Sequence, residues 1–200
     1  MNEILSDAKR ILYTAIQASL PDEAVKKFID GKTFAFEGRV IVIAIGKAAW
    51  NMAKAAAENI PHRIDTGIVL TKYDHAKGEI PGFTILEAGH PLPDENTILG
   101  TQKIIDAVSG LTEKDTVFFL VSGGVSALFE CPAGKLTLAD FLDITDQLLK
   151  CGADIVEINT IRKHLSAVKG GRFAQRCAPA HVLAIVLSDV LGDSLDSIAS

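Results

Sequence analysis

The stretch "RVIVIAIGKAAWNMAKAAAENI", residues 39–60, constrains the fold more tightly than any other part of the chain. Its run "VIVIAI", Val40 to Ile45, is apolar at every position and mostly β-branched, with no polar alternation. A strand without a polar face has to be covered on both sides, which is the situation of a strand inside a parallel sheet. Gly46 ends the run, and the alanine-rich segment after it has strong helix propensity. The unit is strand, glycine turn, helix.

That alternation recurs. "TGIVLT" and "FTILEAG" read as strands, "NTILGTQKIIDAVSG" as a helix, and "DTVFFLVSGG" as a strand entering a second glycine turn. "TLADFLDITDQLLKCG" has helical periodicity, with Thr137 as N-cap and Gly152 as stop, and "HVLAIVLSD" reads as another buried strand. Such a pattern predicts an α/β fold with a mainly parallel sheet flanked by helices. Ahead of it, Ile4, Leu5, Ala8, Ile11, Leu12, Ala15 and Ile16 recur at helical spacing, and a short helix from about Asp22 to Ile29 follows Pro21. No linker-like tract interrupts residues 39–200, so residues 1–200 read as one domain with an N-terminal helical segment. "AIVLSDVLGDSLDSIAS" leaves a strand for an acidic loop and stops there, an ending that reads as truncated.

Composition removes several function classes. With 200 residues, 48% hydrophobic, the chain can bury a full core. A net charge of −5 with scattered Lys and Arg argues against a nucleic-acid partner. Cys131, Cys151 and Cys177 show neither CxxC nor Cys/His spacing, which argues against a disulfide framework or zinc and favours a reducing cytoplasm. The N-terminus carries Glu3, Asp7, Lys9 and Arg10, and no uncharged apolar run approaches ~18 residues, so neither a signal peptide nor a membrane partner is expected.

In open parallel sheets, ligands bind beyond the carboxyl ends of the strands. "AIGKAA", "LVSGGVSAL" and "VLSDVLGD" occupy that position, gathering Gly46, Lys47, Ser122, Gly123, Gly124, Ser126, Asp189 and Asp193 on one edge. Glycines after a strand let backbone N–H groups approach an anion, a following helix adds its positive end, and serines add hydrogen bonds. The same residues also suit a plain strand-to-helix turn, so the local reading stays double. Lys47 is either a point charge for phosphate or an ordinary lysine at a helix start; its spacing is not that of a P-loop. On a helix, Asn159, Arg162, Lys163 and Ser166 share one face that suits a polyanion or simply solvent. His164 reads as structural. Asp189 and Asp193 suit magnesium beside phosphate, or cap their own loop.

Five stretches, "AIGKAAWNMAKAA", "GHPLPDENT", "LVSGGVSALFE", "EINTIRKHLSAVKGGRFA" and "VLSDVLGD", occur in the order found in the glycerate 2-kinase family, the MOFRL-type kinases, some of which are labelled hydroxypyruvate reductase. The chain resembles the N-terminal part of that family. The resemblance implies a Rossmann-like domain, with a smaller C-terminal domain absent here, and ATP-dependent phosphorylation of D-glycerate at its 2-hydroxyl with Mg²⁺. It implies that Lys47, Ser122 to Ser126, Asn159, Arg162, Lys163 and Asp189 line a cleft between the two domains. Asp189 would be either the base or, with Asp193, a metal ligand. An uncovered cleft edge would be exposed or covered by a second copy in a homodimer. One departure is Val125, where the family reads glycine in SGGGSAL; a β-branched residue resists positive φ, so Val125 is expected at negative φ with its side chain toward the sheet. Two other readings stand beside the kinase. One is a nicotinamide-dependent hydroxypyruvate reductase, which lacks GxGxxG after any strand, and the other is a non-catalytic domain that binds phosphate or a sugar acid.

Overall fold

Every residue of β1, Val40–Ile45, is buried, and the rest of the molecule is arranged about this strand. The structure, a computed structural model, describes residues 2–188 apart from 31 and 33. In chain order the elements are α1 (Asn2–Ala18), α2 (Pro21–Ile29), β1, α3 (Ala49–Asn59), β2 (Thr66–Lys72), β3 (Phe83–Ala88), α4 (Glu95–Ala107) and β4 (Thr116–Val121). They continue with α5 (Val125–Leu128), α6 (Leu138–Lys150), α7 (Ile155–Leu165), α8 (Arg172–Cys177) and β5 (His181–Val186). The five strands form one parallel sheet in the order β3-β2-β1-β4-β5. The α/β fold expected from the alternation is what the chain adopts.

The pleat of β1 divides the core. Val40, Val42 and Ala44 face α2 and α3, where Met52, Ala53 and Ala56 lie in the same buried cluster. Small side chains on both surfaces let the alanine-rich helix sit close to the strand. Ile41, Ile43 and Ile45 face the other way, into a cluster with Ile104 of α4, Val125 of α5 and Phe173 of α8. Thr137 caps α6 as expected, its side chain accepting from the Asp140 N–H.

Three features depart from the sequence pattern or go beyond it. β5 is mostly not buried: among the described residues "HVLAIV" lies at the sheet edge with β4 as its one strand neighbour, and of its six residues Ile185 is the buried one. α1 is amphipathic, yet Ile4, Leu5, Ile11, Leu12 and Ile16 are all exposed among the described residues. Finally, β2 and β3 are parallel but joined by residues 73–82 with no helix between them. Trp50 holds that loop through Nε1–H donated to the Gly78 carbonyl at 2.8 Å, and buried Ile80 pins it to the α3 core. Among the described residues no helix is long and apolar enough to cross a membrane.

Asp115 fastens the amino end of the sheet. It is 3% exposed, and its carboxylate accepts from the backbone N–H groups of Arg39 at 2.6 Å and Thr112 at 2.7 Å. The Thr112 and then the Arg39 N–H bonds hold its carboxyl at about 2, against an ordinary 3.8. As pH falls, the unfolded chain takes up this proton first, so the contribution is complete above 3.8 and is lost toward about 2. Asp115→Asn should therefore flatten the dependence of folding stability on pH in that window, measured by chemical denaturation. A slope equal to that of the wild type would contradict the assignment.

Candidate active site

The strand order reverses direction at β1 and β4: the chain leaves β1 toward β2 on one side, and leaves β4 toward β5 on the other. The helices after the two strands lie on opposite faces, which opens a crevice between the loops at the carboxyl edge. Ile45 pairs with Val121, so Gly46 and Ser122 leave the sheet side by side. The two loops are locked together there. Lys47 N–H donates to the Gly123 carbonyl at 2.9 Å, and Ala48 N–H donates to Ser122 Oγ at 3.0 Å. The Ser122 hydroxyl donates in turn to the Ile45 carbonyl at 3.3 Å, and Thr71 Oγ1 donates to the Gly46 carbonyl at 2.9 Å. Gly46 has φ +116°, and a Cβ placed there would collide with the oxygens of Ser122. Ser122 is buried, and its hydroxyl serves this lock.

The second glycine turn differs in mechanism from the sequence expectation. Gly124, at φ +94°, takes the left-handed conformation, and Val125 begins α5. Among the described non-glycine residues, positive φ occurs at His62 and Asp74, so Val125 is at negative φ and is buried in the Phe173 cluster, as expected. α5 has only four residues, too short for a strong macrodipole. Side-chain cations supply the field instead. A Cβ built on Gly124 would lie 3.0 Å from His90 Cδ2, 3.1 Å from His90 Nε2 and 3.3 Å from Lys47 Cε, so both side chains close over the turn. Lys72 ends β2, and His75 Nδ1 is 3.0 Å from the Lys47 carbonyl. Burial, then the charges of Lys47, Lys72 and His75, hold the His90 imidazole below its ordinary range. The edge is a glycine floor ringed by basic groups, and its exposed Lys47 faces solvent.

His90 was not among the residues singled out from sequence. The available signal was its position: "GHPLPDENT" follows directly on the β3 strand, at the same carboxyl edge as the two glycine turns.

The α7 residues divide between two places. Arg162 turns inward, its guanidinium 5.4 Å from the Phe141 ring centre and donating through Nη2 to the Ser126 carbonyl at 2.6 Å. Asn159 and Lys163 instead line a groove of about 470 Å³ with Val156, Thr160, His164 and Arg172. Ser166 caps α7 and is buried, accepting from the Val168 and Lys169 N–H groups. The single face read from helical spacing is therefore split, because Arg162 is long enough to reach under the glycine turn. Lys169 Nζ reaches the same Ser126 carbonyl at 2.9 Å and lies 3.7 Å from Glu130 Oε2, both side chains being buried. The Ser126 carbonyl thus ties the switch-point edge to α7 and to the segment that follows it.

Asp189 and Asp193 lie outside the described residues. Among the described residues, no group of three His, Cys, Asp or Glu side chains could hold a metal ion. A larger cavity of about 610 Å³, walled by Trp50, Ile60, Ile64, Ile80 and Phe83, includes neither glycine turn nor Lys47.

Residues 7–200 match the protein family described as "Domain of unknown function (DUF4147)". The chain belongs to this family. Within the wider set of relatives, a D-glycerate 2-kinase of Thermotoga maritima is 54% identical over 96% of this chain and 46% of its own length. A relative in Agrobacterium vitis that bears a hydroxypyruvate reductase name is 42% identical over 96% of this chain and 43% of its own length. The crystal structure of a glycerate kinase from Thermotoga maritima superposes with a TM-score of 0.93 at 52% identity, covering all of this chain and 48% of that one. This DUF4147 chain spans about half the length of the curated relatives it matches.

The Glu130–Lys169 pair offers a direct test of the site's electrostatics. Burial drives the Lys169 ammonium down to about 8, with Glu130 opposing, and drives the Glu130 carboxyl up, with Lys169 opposing. Desolvation outweighs the attraction for both partners. In Glu130→Gln the opposing charge is gone, so the Lys169 ammonium should titrate lower still in NMR. A midpoint at or above that of the wild type would contradict this balance.

Proposed function

We propose that this domain is the phosphate-binding part of a kinase that transfers the γ-phosphoryl group of ATP to the 2-hydroxyl of D-glycerate, giving 2-phosphoglycerate. The observation that carries the reading is the convergence of Lys47 and His90 over the Gly123-Gly124 turn at the β1/β4 switch point. Relatives named glycerate kinase support it from outside the geometry.

Phosphoryl transfer depends on holding the reacting groups in line and on offsetting charge on the transferred group. Lys47, on the rim of the crevice, meets a phosphate as a mobile point charge, while its backbone N–H stays fixed to Gly123. Gly123 and Gly124 have no side chain to hold an anion away from the backbone. Arg162 and Lys169 act from beneath, fixing the Ser126 carbonyl and therefore the turn, while Asn159 and Lys163 line the α7 groove and offer it to the remainder of the substrates. Mg²⁺ would accompany ATP and offset phosphate charge, with Asp189 and Asp193 as its candidate ligands or Asp189 as base. In the same reading the enzyme works in the cytoplasm, where its three cysteines stay reduced. A second copy of the chain, in a homodimer, covers the cleft edge in this reading.

The reductase reading has the Agrobacterium vitis name behind it, and the non-catalytic reading has the chain's half-length match. Assays with ATP plus D-glycerate and with NADH plus hydroxypyruvate separate all three: 2-phosphoglycerate supports the kinase, NADH oxidation without it supports the reductase, and binding without turnover by the full-length enzyme supports the third.

Lys47→Ala in the full-length enzyme should leave the fold intact and cost on the order of 2–4 kcal/mol of transition-state stabilisation, read from kcat/KM. A near-normal kcat/KM would reduce Lys47 to a residue at a helix start.

A further inference from the structure

We propose that His90, rather than Asp189, is the catalytic base that takes the proton from the acceptor hydroxyl during phosphoryl transfer, which leaves Asp189 the metal-ligand role. This rests on the kinase reading above and assigns a role to a residue that the sequence pattern did not single out.

Among the described residues, the other proton-accepting side chains of the carboxyl edge are held by contacts of their own. Glu87 is committed to the backbone, its Oε1 accepting from the His75 N–H at 3.0 Å and the Ala76 N–H at 2.9 Å. Asp94 caps α4 by accepting from the Thr97 N–H at 2.9 Å, and its second oxygen accepts from the Tyr73 hydroxyl at 2.6 Å. His75 is tied by its Nδ1 to the Lys47 carbonyl at 3.0 Å, and its ring is not among the nearest groups to the Gly124 turn. His90 instead turns its Cδ2–Nε2 edge onto Gly124, beside the Lys47 side chain. A substrate anion on the glycine turn and Lys47 therefore brings its neighbouring groups within reach of that edge.

The surroundings also keep the ring in the useful form. Burial, and then the charges of Lys47 in the β1–α3 turn, Lys72 of β2 and His75 of the β2–β3 loop, favour its neutral imidazole. A neutral imidazole can accept a proton where a charged one cannot. In the step, the C2–OH proton passes to His90 Nε2 as the hydroxyl oxygen forms its bond to the γ-phosphorus. The bond from that phosphorus to the bridging oxygen breaks, and ADP leaves with the electron pair. The imidazolium then returns its proton to water.

The test uses the full-length enzyme with a non-hydrolysable ATP analogue, titrated with D-glycerate while the histidine ring, Lys47 and Gly124 signals are followed by NMR. His90 should move and change its titration midpoint, whereas His181, at the amino end of β5, should not. In turnover, His90→Gln should lose about 10²- to 10⁴-fold in rate, and the fall in rate on the acid side of the pH profile should disappear with it. If D-glycerate moves the Lys47 and Gly124 signals but not His90, or if His90→Gln keeps the acid-side fall, the base assignment is overturned and the kinase reading stands. If D-glycerate moves no signal, both are overturned. A His90→Asn variant that folds yet matches wild-type turnover would also overturn the base.

Discussion

The contact between Gly46 and Ser122 is the constraint on which the rest of the site depends. Two parallel strands in register deliver their loops side by side, and a side chain at position 46 would push those loops apart. With glycine there, the Ser122 hydroxyl closes a short circuit of hydrogen bonds from Ala48 N–H to the Ile45 carbonyl. The backbone of both turns is thereby set before any ligand arrives, so binding pays little to order it. Each buried polar group in the lock has a partner, as a rigid polar centre requires.

Charge is arranged in two tiers around this lock. Above the turn, Lys47 and His90 are accessible enough to meet a ligand. Below it, Arg162 and Lys169 donate to one carbonyl, that of Ser126, and Glu130 partly balances them in the interior. The lower tier stabilises little by itself, since both members of the Glu130–Lys169 pair are shifted toward their neutral forms. Its effect is positional: α5 is a single turn, and its carbonyl would otherwise lack a fixed direction.

Much of this was legible in the chain because it is local. The unbroken run of β1 required two covered faces, and the glycines after β1 and β4 marked where the chain turns at the carboxyl edge. Thr137 and Val125 behaved as their backbone preferences dictate. What remained hidden depended on contacts between distant segments. "HVLAIV" has the composition of a central strand, and composition does not report that β5 lies at an edge. Helical spacing placed Arg162 beside Asn159 and Lys163, but the length of the Arg162 side chain and the ring of Phe141 draw it elsewhere. His90, Glu130 and Lys169 acquire their roles only from the loops packed around them.

The most direct test of the account is a crystal structure of the full-length enzyme with ADP and D-glycerate bound. Phosphate oxygens should lie within hydrogen-bond distance of Lys47 Nζ and rest on the Gly123-Gly124 turn, with D-glycerate beside His90. Phosphates seated in the cavity between Trp50 and Phe83, with the two glycine turns bare, would contradict it.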